Sequence, residues 1–387
     1  MKRILITAAG LLVAAPVLAA CGTESTEQAE AGRAFTVEST DDACTVSGDE
    51  APAGTLTFEV SNKGSDVTEF YLLGKDGLRI LGEVENIGAD SSNTLTVNAP
   101  AGEYFASCKP GMKGEGIRSA FTVTESEEGE EQLSASDQEM VDEALAGYKL
   151  YVRDQSAQLL EKTQEFVDLY KAGDHDDAAR VLYPVARTHW ERIETVAESF
   201  GDLDPKMDLR EADLEPGQEW TGWHKIEKDL WPADAVKYQA LTPEERAFYA
   251  DDLLANTETL DEKIQDLDYT IDQLANGSRG LLEEVAVGKV TGEEEFWSHT
   301  DLWDFQANVD GARVAFDGVK PIVEKNDPEL AETLTTRFDE LQTLLDAQRE
   351  GDGFKLYTDL TPEEVKGLSN AVDALAEPLG SLTAAVV

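Results

Sequence analysis

THWERIE at residues 188–194 and GWHKIEKDLW at residues 222–231 are the two runs on which the reading of this chain turns. In the second run His224 and Glu227 are three residues apart, which on a helix sets an imidazole and a carboxylate on one face, about one turn from each other. Glu191 and Glu194 repeat that spacing in the first run. If both segments are helical and adjacent, three carboxylates and one imidazole converge on a single cation. Such a donor set suits iron or zinc, and added carboxylates shift the preference toward hard Fe(III). The chain has four histidines, at positions 175, 189, 224 and 299, so each is scarce. His175, in GDHDD, reads as a solvent histidine, and His189 as a group that orients a ligand.

Working outward, everything after residue 136 has helical periodicity. Val141, Leu145, Tyr148, Val152, Leu159, Phe166 and Tyr170 fall mostly at steps of three and four, predicting one long amphipathic helix over residues 137–172 that ends near Gly173. A second helix is predicted from Asp177 or Pro184 to about Phe200. Thr242-Pro243-Glu244-Glu245 and Thr361-Pro362-Glu363-Glu364 each supply a cap, a first-turn proline and a capping-box glutamate, and Asp327-Pro328 opens a helix between them. The run SHTDLWDFQANVDGAR, residues 298–313, belongs to another helix. Together these predict an all-α helical bundle over residues 137–387.

The N-terminal part has a different grain. Lys2 and Arg3 precede an apolar run from Ile4 to Ala20, the order of a secretory signal over residues 1–21, and no later stretch reaches the length needed to span a bilayer. Leu18-Ala19-Ala20-Cys21 resembles a bacterial lipobox, which makes Cys21 the lipidated first residue of a mature, membrane-tethered protein. Of the three cysteines this leaves Cys44 and Cys108 in an oxidising compartment. A disulfide between them is the default expectation and a thiolate metal site its rival. Residues 22–33 read as a polar tether. Over residues 34–124 eight short β-rich runs, FTVES to IRSAFTV, alternate with turn residues and predict an antiparallel β-sandwich. Residues 125–136 are an acidic linker. The whole chain holds 79 acids against 32 bases, a net charge of -47, which repels nucleic acid and anionic lipid and favours solubility and the accumulation of cations.

Resemblance adds to this. AGEYFASCKPGMKGEG, residues 101–116, looks like the last strand and loop of a cupredoxin, where a cysteine, a histidine and a methionine ligate copper. Here Cys108 and Met112 are present, but residues 34–124 contain no histidine, so a blue-copper set cannot be assembled. A mixed second site of Cys44, Cys108 and Met112 with Glu69 is the remaining option, and its sulfur would favour copper. The run HWERIETVAESFGDLDPKMDLREADL (189–214), with WTGWHKIEKDLW (220–231) and SHTDLWDFQANVDGA, resembles the imelysin-like domain of EfeO-type proteins. That resemblance implies an extracytoplasmic lipoprotein of a bacterial iron uptake system. Such a protein captures ferric or ferrous iron and delivers it to an iron permease in the membrane, beside a secreted haem-dependent peroxidase. The family HxxE pair falls on His224 and Glu227; Glu191 and Glu194 match the pattern, and His299 and Asp301 belong to the third block. Copper and zinc are the alternative ions. The rival reading is a zinc-dependent metallopeptidase of the imelysin type. The sequence has no HExxH or its inverse, no GxSxG and no glycine-rich phosphate loop, so a binding protein is expected rather than an enzyme.

Overall fold

The computed structural model describes residues 33–77, 80–114, 116–125, 135–214, 216–232, 237–287 and 289–386. The signal segment with Cys21, the tether up to residue 32 and residues 126–134 of the acidic linker lie outside the described residues.

Nine strands follow one another from residue 34: β1 (Ala34–Ser39), β2 (Cys44–Val46), β3 (Glu50–Pro52), β4 (Gly54–Asn62), β5 (Thr68–Gly74), β6 (Ile80–Ile87), β7 (Ser92–Ala99), β8 (Gly102–Cys108) and β9 (Ile117–Thr124). They form a four-stranded sheet in the order β2-β1-β4-β7 and a five-stranded sheet in the order β3-β9-β8-β5-β6. Strict alternation along β1, with Phe35 and Val37 turned inward, is what lets one face close on the other sheet. Most neighbours are antiparallel, as the short turns require, and two further pairings, β1 with β4 and β3 with β9, run parallel. Between the sheets Phe35, Phe58, Phe70 and Phe121 pack with ring centroids 5.1 to 5.5 Å apart.

Cys44 and Cys108 are joined in a disulfide that ties β2 of one sheet to β8 of the other. This corrects the second metal site: neither sulfur is a thiolate. Its other members are also engaged or misplaced. Glu69 is buried, takes the Tyr71 hydroxyl proton in a hydrogen bond and pairs with Lys109 Nζ at 3.6 Å, while the Met112 side chain is exposed.

The helices are α1 (Ala135–Ala172), α2 (Asp176–Glu191), α3 (Leu203–Asp208), α4 (Trp223–Leu230), α5 (Pro243–Asp266), α6 (Ile271–Val287), α7 (Asp301–Asn326), α8 (Pro328–Asp346), α9 (Pro362–Leu379) and α10 (Leu382–Val386). Complete capping boxes open α5 at Thr242 and α9 at Thr361, and the Asp327 side chain caps α8. No described helix is long and apolar enough to cross a membrane.

The predicted run of α2 to Phe200 is shortened. The α-helix stops at Glu191, and Glu194–Phe200 continues as a 3₁₀ segment with a break at Val196. Two close backbone approaches grip this stretch. A Cβ added to Gly311 of α7 would lie 2.4 Å from the Arg192 carbonyl oxygen, and one added to Gly277 of α6 would lie 1.9 Å from that of Thr195. Neighbouring helices lie so near that the chain turns between them instead of continuing straight.

The sandwich joins the bundle along β7, an edge strand whose outward backbone groups need partners. Helix α6 supplies them at one-turn intervals. Asp272 accepts from the Asn98 amide at 3.0 Å, Asn276 donates to the Thr96 carbonyl at 2.8 Å, and Arg279 donates to the Thr94 carbonyl at 3.0 Å.

Candidate metal centre

Helix α4 is only eight residues long, so propensity alone would not hold it. Trp223 anchors it, packing against Phe166 and Tyr183 with centroids 5.3 and 5.8 Å away. At its start Gly222 has φ 87°, and a Cβ there would fall 2.1 Å from the Met207 carbonyl oxygen. Only glycine admits that approach, and it brings the first turn of α4 onto the end of α3. His224 thereby meets Asp208.

The imidazole is buried and has carboxylates on both sides. Its Nδ1 lies 3.2 Å from Glu227 Oε2, and because an ionised carboxylate only accepts, Nδ1 carries the proton of that bond. Glu227 is itself fixed by the backbone amides of Trp297 and Ser298, which donate to Oε1 at 2.8 and 2.7 Å. On the far side Nε2 stands 3.5 Å from both Asp208 Oδ1 and Glu294 Oε1. Two sets of ligand atoms share this ring, each mutually within 4.8 Å: Asp208, His224 and Glu294, and His224, Glu227 and Glu295.

Below the ring lies the fully buried Arg187. It forms an ion pair with Asp208, its Nη2 is 2.5 Å from Glu191 Oε1, and its Nε is 2.7 Å from Glu295 Oε1 and 3.5 Å from Asp304 Oδ1. Glu295 is also held by Ser298, whose hydroxyl donates to Oε2 at 2.8 Å, and its backbone amide donates to Asp301 Oδ1 at 3.1 Å.

These contacts revise the predicted ligand set. Glu191 and Glu194 do not join His224 around one cation; both bind the ammonium of Lys289, at 2.6 and 3.0 Å, and the amide of Asn308, at 2.9 and 3.0 Å. His299 is half-buried, has a left-handed backbone and stands outside both sets that share His224. Asp301 braces the turn that carries Glu295 and is in neither set. His189 faces Gln155 at 2.9 Å rather than the centre. In their place the structure brings in Asp208, Glu294 and Glu295. A run such as GEEEF (292–296) was the one available signal for two of them, and among 79 acids it does not stand out.

Charge is what sets this interior apart. The eight carboxyls of Glu191, Glu194, Asp208, Glu227, Glu294, Glu295, Asp301 and Asp304 lie close to only three permanent cations, Arg187, Lys289 and Arg210, and to the His224 ring, so acids outnumber bases here. Burial raises the Glu295 and Asp304 carboxyls well above the usual range, aided by Glu227 at the first and Glu191 at the second. Burial likewise pushes Asp301 up to about 7. For His224, burial and Arg187 act to lower the pKa, but the hydrogen bond to Glu227 and the nearby carboxylates of Glu294 and Asp208 outweigh them and raise it to about 9. Protons are thus drawn to the centre as positive charge. His224 Nε2, Asp301 Oδ2 and both Asp304 oxygens are buried with no hydrogen-bond partner among the described residues. A nitrogen, several hard oxygens and a deficit of positive charge fit an iron cation.

The comparisons with known proteins agree with this architecture. Residues 144–382 match the family profile described as Imelysin, Peptidase_M75, and residues 11–123 match the Cupredoxin-like domain profile. An N-terminal cupredoxin-like unit followed by an imelysin domain is therefore the class of protein. "Iron uptake system component EfeO" of Escherichia coli O157:H7 is 35% identical over 335 residues, covering 85% of this chain and 85% of that protein. The "Efem/EfeO family lipoprotein" of Staphylococcus haemolyticus is 42% identical over 262 residues, covering 67% of this chain and 87% of the relative. The chain belongs to the EfeO family of iron uptake components. A solved structure of reduced auracyanin from Roseiflexus castenholzii aligns over 24% of this chain at 20% identity and a TM-score of 0.21, too low to bear on the argument.

Proposed function

We propose that this protein captures iron outside the cytoplasm at His224 and its flanking carboxylates and delivers it to an iron permease in the membrane. The observation that carries the reading is the buried excess of carboxylates around one imidazole. Iron is the cargo, held by His224 with oxygens from Asp208, Glu294, Glu227 and Glu295. The lipid on Cys21 would keep the protein near the permease, and a secreted haem-dependent peroxidase of the same system would act on the iron beforehand. Relatives named as an iron uptake system component and as a lipoprotein support the role in iron uptake and the lipid anchor.

The peptidase name of the family profile keeps a zinc hydrolase as the second reading. The groups around His224 are almost wholly removed from solvent, which favours a caged ion over a cleft that admits a peptide. The test is metal analysis of the protein after equilibration with ferrous and ferric iron and with zinc. One tightly held iron, lost in His224→Ala, is expected. Zinc retained in preference to iron, with peptide cleavage that a chelator abolishes, would overturn the proposal.

A further inference from the structure

Glu191, Glu194 and Asn308 make a second oxygen-rich cage beside the His224 centre, and that cage already has an occupant. The Lys289 ammonium is fully buried and lies 2.6 Å from Glu191 Oε2 and 3.0 Å from Glu194 Oε2. The Asn308 amide nitrogen donates to the same two oxygens, while its Oδ1 is buried with no hydrogen-bond partner among the described residues. Two carboxylates are donors that a hard divalent cation takes, and the Asn308 amide, turned over about its last bond, would add its Oδ1 as a third. Arg187 separates this cage from the imidazole, with Nη2 at 2.5 Å from Glu191 Oε1 and Nε at 2.7 Å from Glu295 Oε1, and a guanidinium does not give up its proton.

The lysine is held in place by its own turn. The Gly292 amide donates to the Lys289 carbonyl at 3.2 Å, and the Tyr357 hydroxyl donates to the Val290 carbonyl. Gly292 has φ 73°, and a Cβ on it would lie 2.4 Å from the Tyr357 ring. The ammonium is therefore delivered by a fixed loop rather than by a side chain that wandered in from the surface.

We infer that Lys289 is a built-in cation filling a second metal cage, so that the natural chain holds one iron and a chain lacking that ammonium holds two. The count for the natural chain rests on the reading of His224 given above; the cage around Lys289 does not.

Titration with Mn2+, followed by electron paramagnetic resonance and metal analysis, tests this in Lys289→Met, Lys289→Arg and the parent protein. The expected result is one ion in the parent and in Lys289→Arg, two in Lys289→Met, and one again when Glu194→Gln is added to Lys289→Met. His224→Ala should remove one ion from each. A folded Lys289→Met that binds no more than the parent overturns the inference, as does a parent that binds two. A parent that binds none beside a Lys289→Met that binds one would sink the His224 reading and leave the second cage standing. If Lys289→Met does not fold alone, folding rescued by Mn2+ and not by sodium at equal ionic strength is expected. Failure of Mn2+ to rescue it counts against the inference.

Discussion

His224 Nε2 and Asp208 Oδ1 lie 3.5 Å apart although they belong to different helices. Their meeting depends on Gly222, where φ 87° and a carbonyl 2.1 Å from any added Cβ leave no room for a side chain. Gly222→Ala should therefore cost on the order of 3 kcal/mol through backbone strain and the carbonyl clash. Metal affinity should fall with it, because α4 must move off α3. Urea unfolding and metal titration check the two effects together; an unchanged midpoint would contradict them.

The two sides of the imidazole have different supports, and paired variants separate them. Glu227 is anchored by two backbone amides, so Glu227→Gln keeps the shape but loses the charge and sets an NH2 against the His224 Nδ1 proton, whereas Asp208→Asn weakens the ion pair with Arg187. A direct ligand should cost more affinity than an orienting group, whose loss typically costs about 10–100-fold. Competitive metal titration of both variants shows which set holds the ion.

Proton linkage gives the metal-free protein an unusual pH dependence. His224, raised to about 9, contributes stability that is complete below its ordinary value and is lost as the pH climbs through 9. The protonated form of Asp301, favoured up to about 7, contributes in the same sense and is lost by that pH. His189, lowered to about 4 mainly by burial, works the other way, and its contribution disappears as the pH falls toward 4. Above pH ~6.5 only the declining contributions remain, and His224 alone accounts for on the order of 3 kcal/mol. The melting temperature without metal should drop between pH 6.5 and 9, and drop less in His224→Gln. With iron bound the slope should flatten or reverse, since the metal replaces those protons.

The Cys44–Cys108 bridge closes a loop with a sequence separation of 64 residues. Chain-entropy arguments put its contribution at about 4 kcal/mol. In a Cys21→Ser background, Cys44→Ser/Cys108→Ser should lower the unfolding midpoint of the sandwich and leave iron binding at the helical centre unchanged. Loss of iron binding in that variant would show that the sulfurs take part after all.

Helix caps were the most legible part of the fold, because Thr-Pro-Glu-Glu states its own hydrogen bonds within four residues. The alternating β runs before residue 124 were equally readable, except for β3, three residues long, and the parallel pairings, which no local pattern encodes. The candidate site was half legible. His224 and Glu227 face each other because both sit on one helical turn. Asp208, Glu294 and Glu295 reach them only through tertiary packing, and a strongly acidic chain hides such residues among many like them. Glu191 and Glu194 looked like ligands because their spacing matches the HxxE pair. What redirected them was a lysine almost a hundred residues later in the chain, beyond the reach of any local pattern.

The row of side chains Asp272, Asn276 and Arg279 along β7 has a further result. By taking up the outward amide and carbonyls of that rim, α6 leaves it no free backbone groups at those positions to recruit a strand from another copy. Many molecules crowded side by side on one surface would then meet there as closed bodies, not as templates for fibre growth.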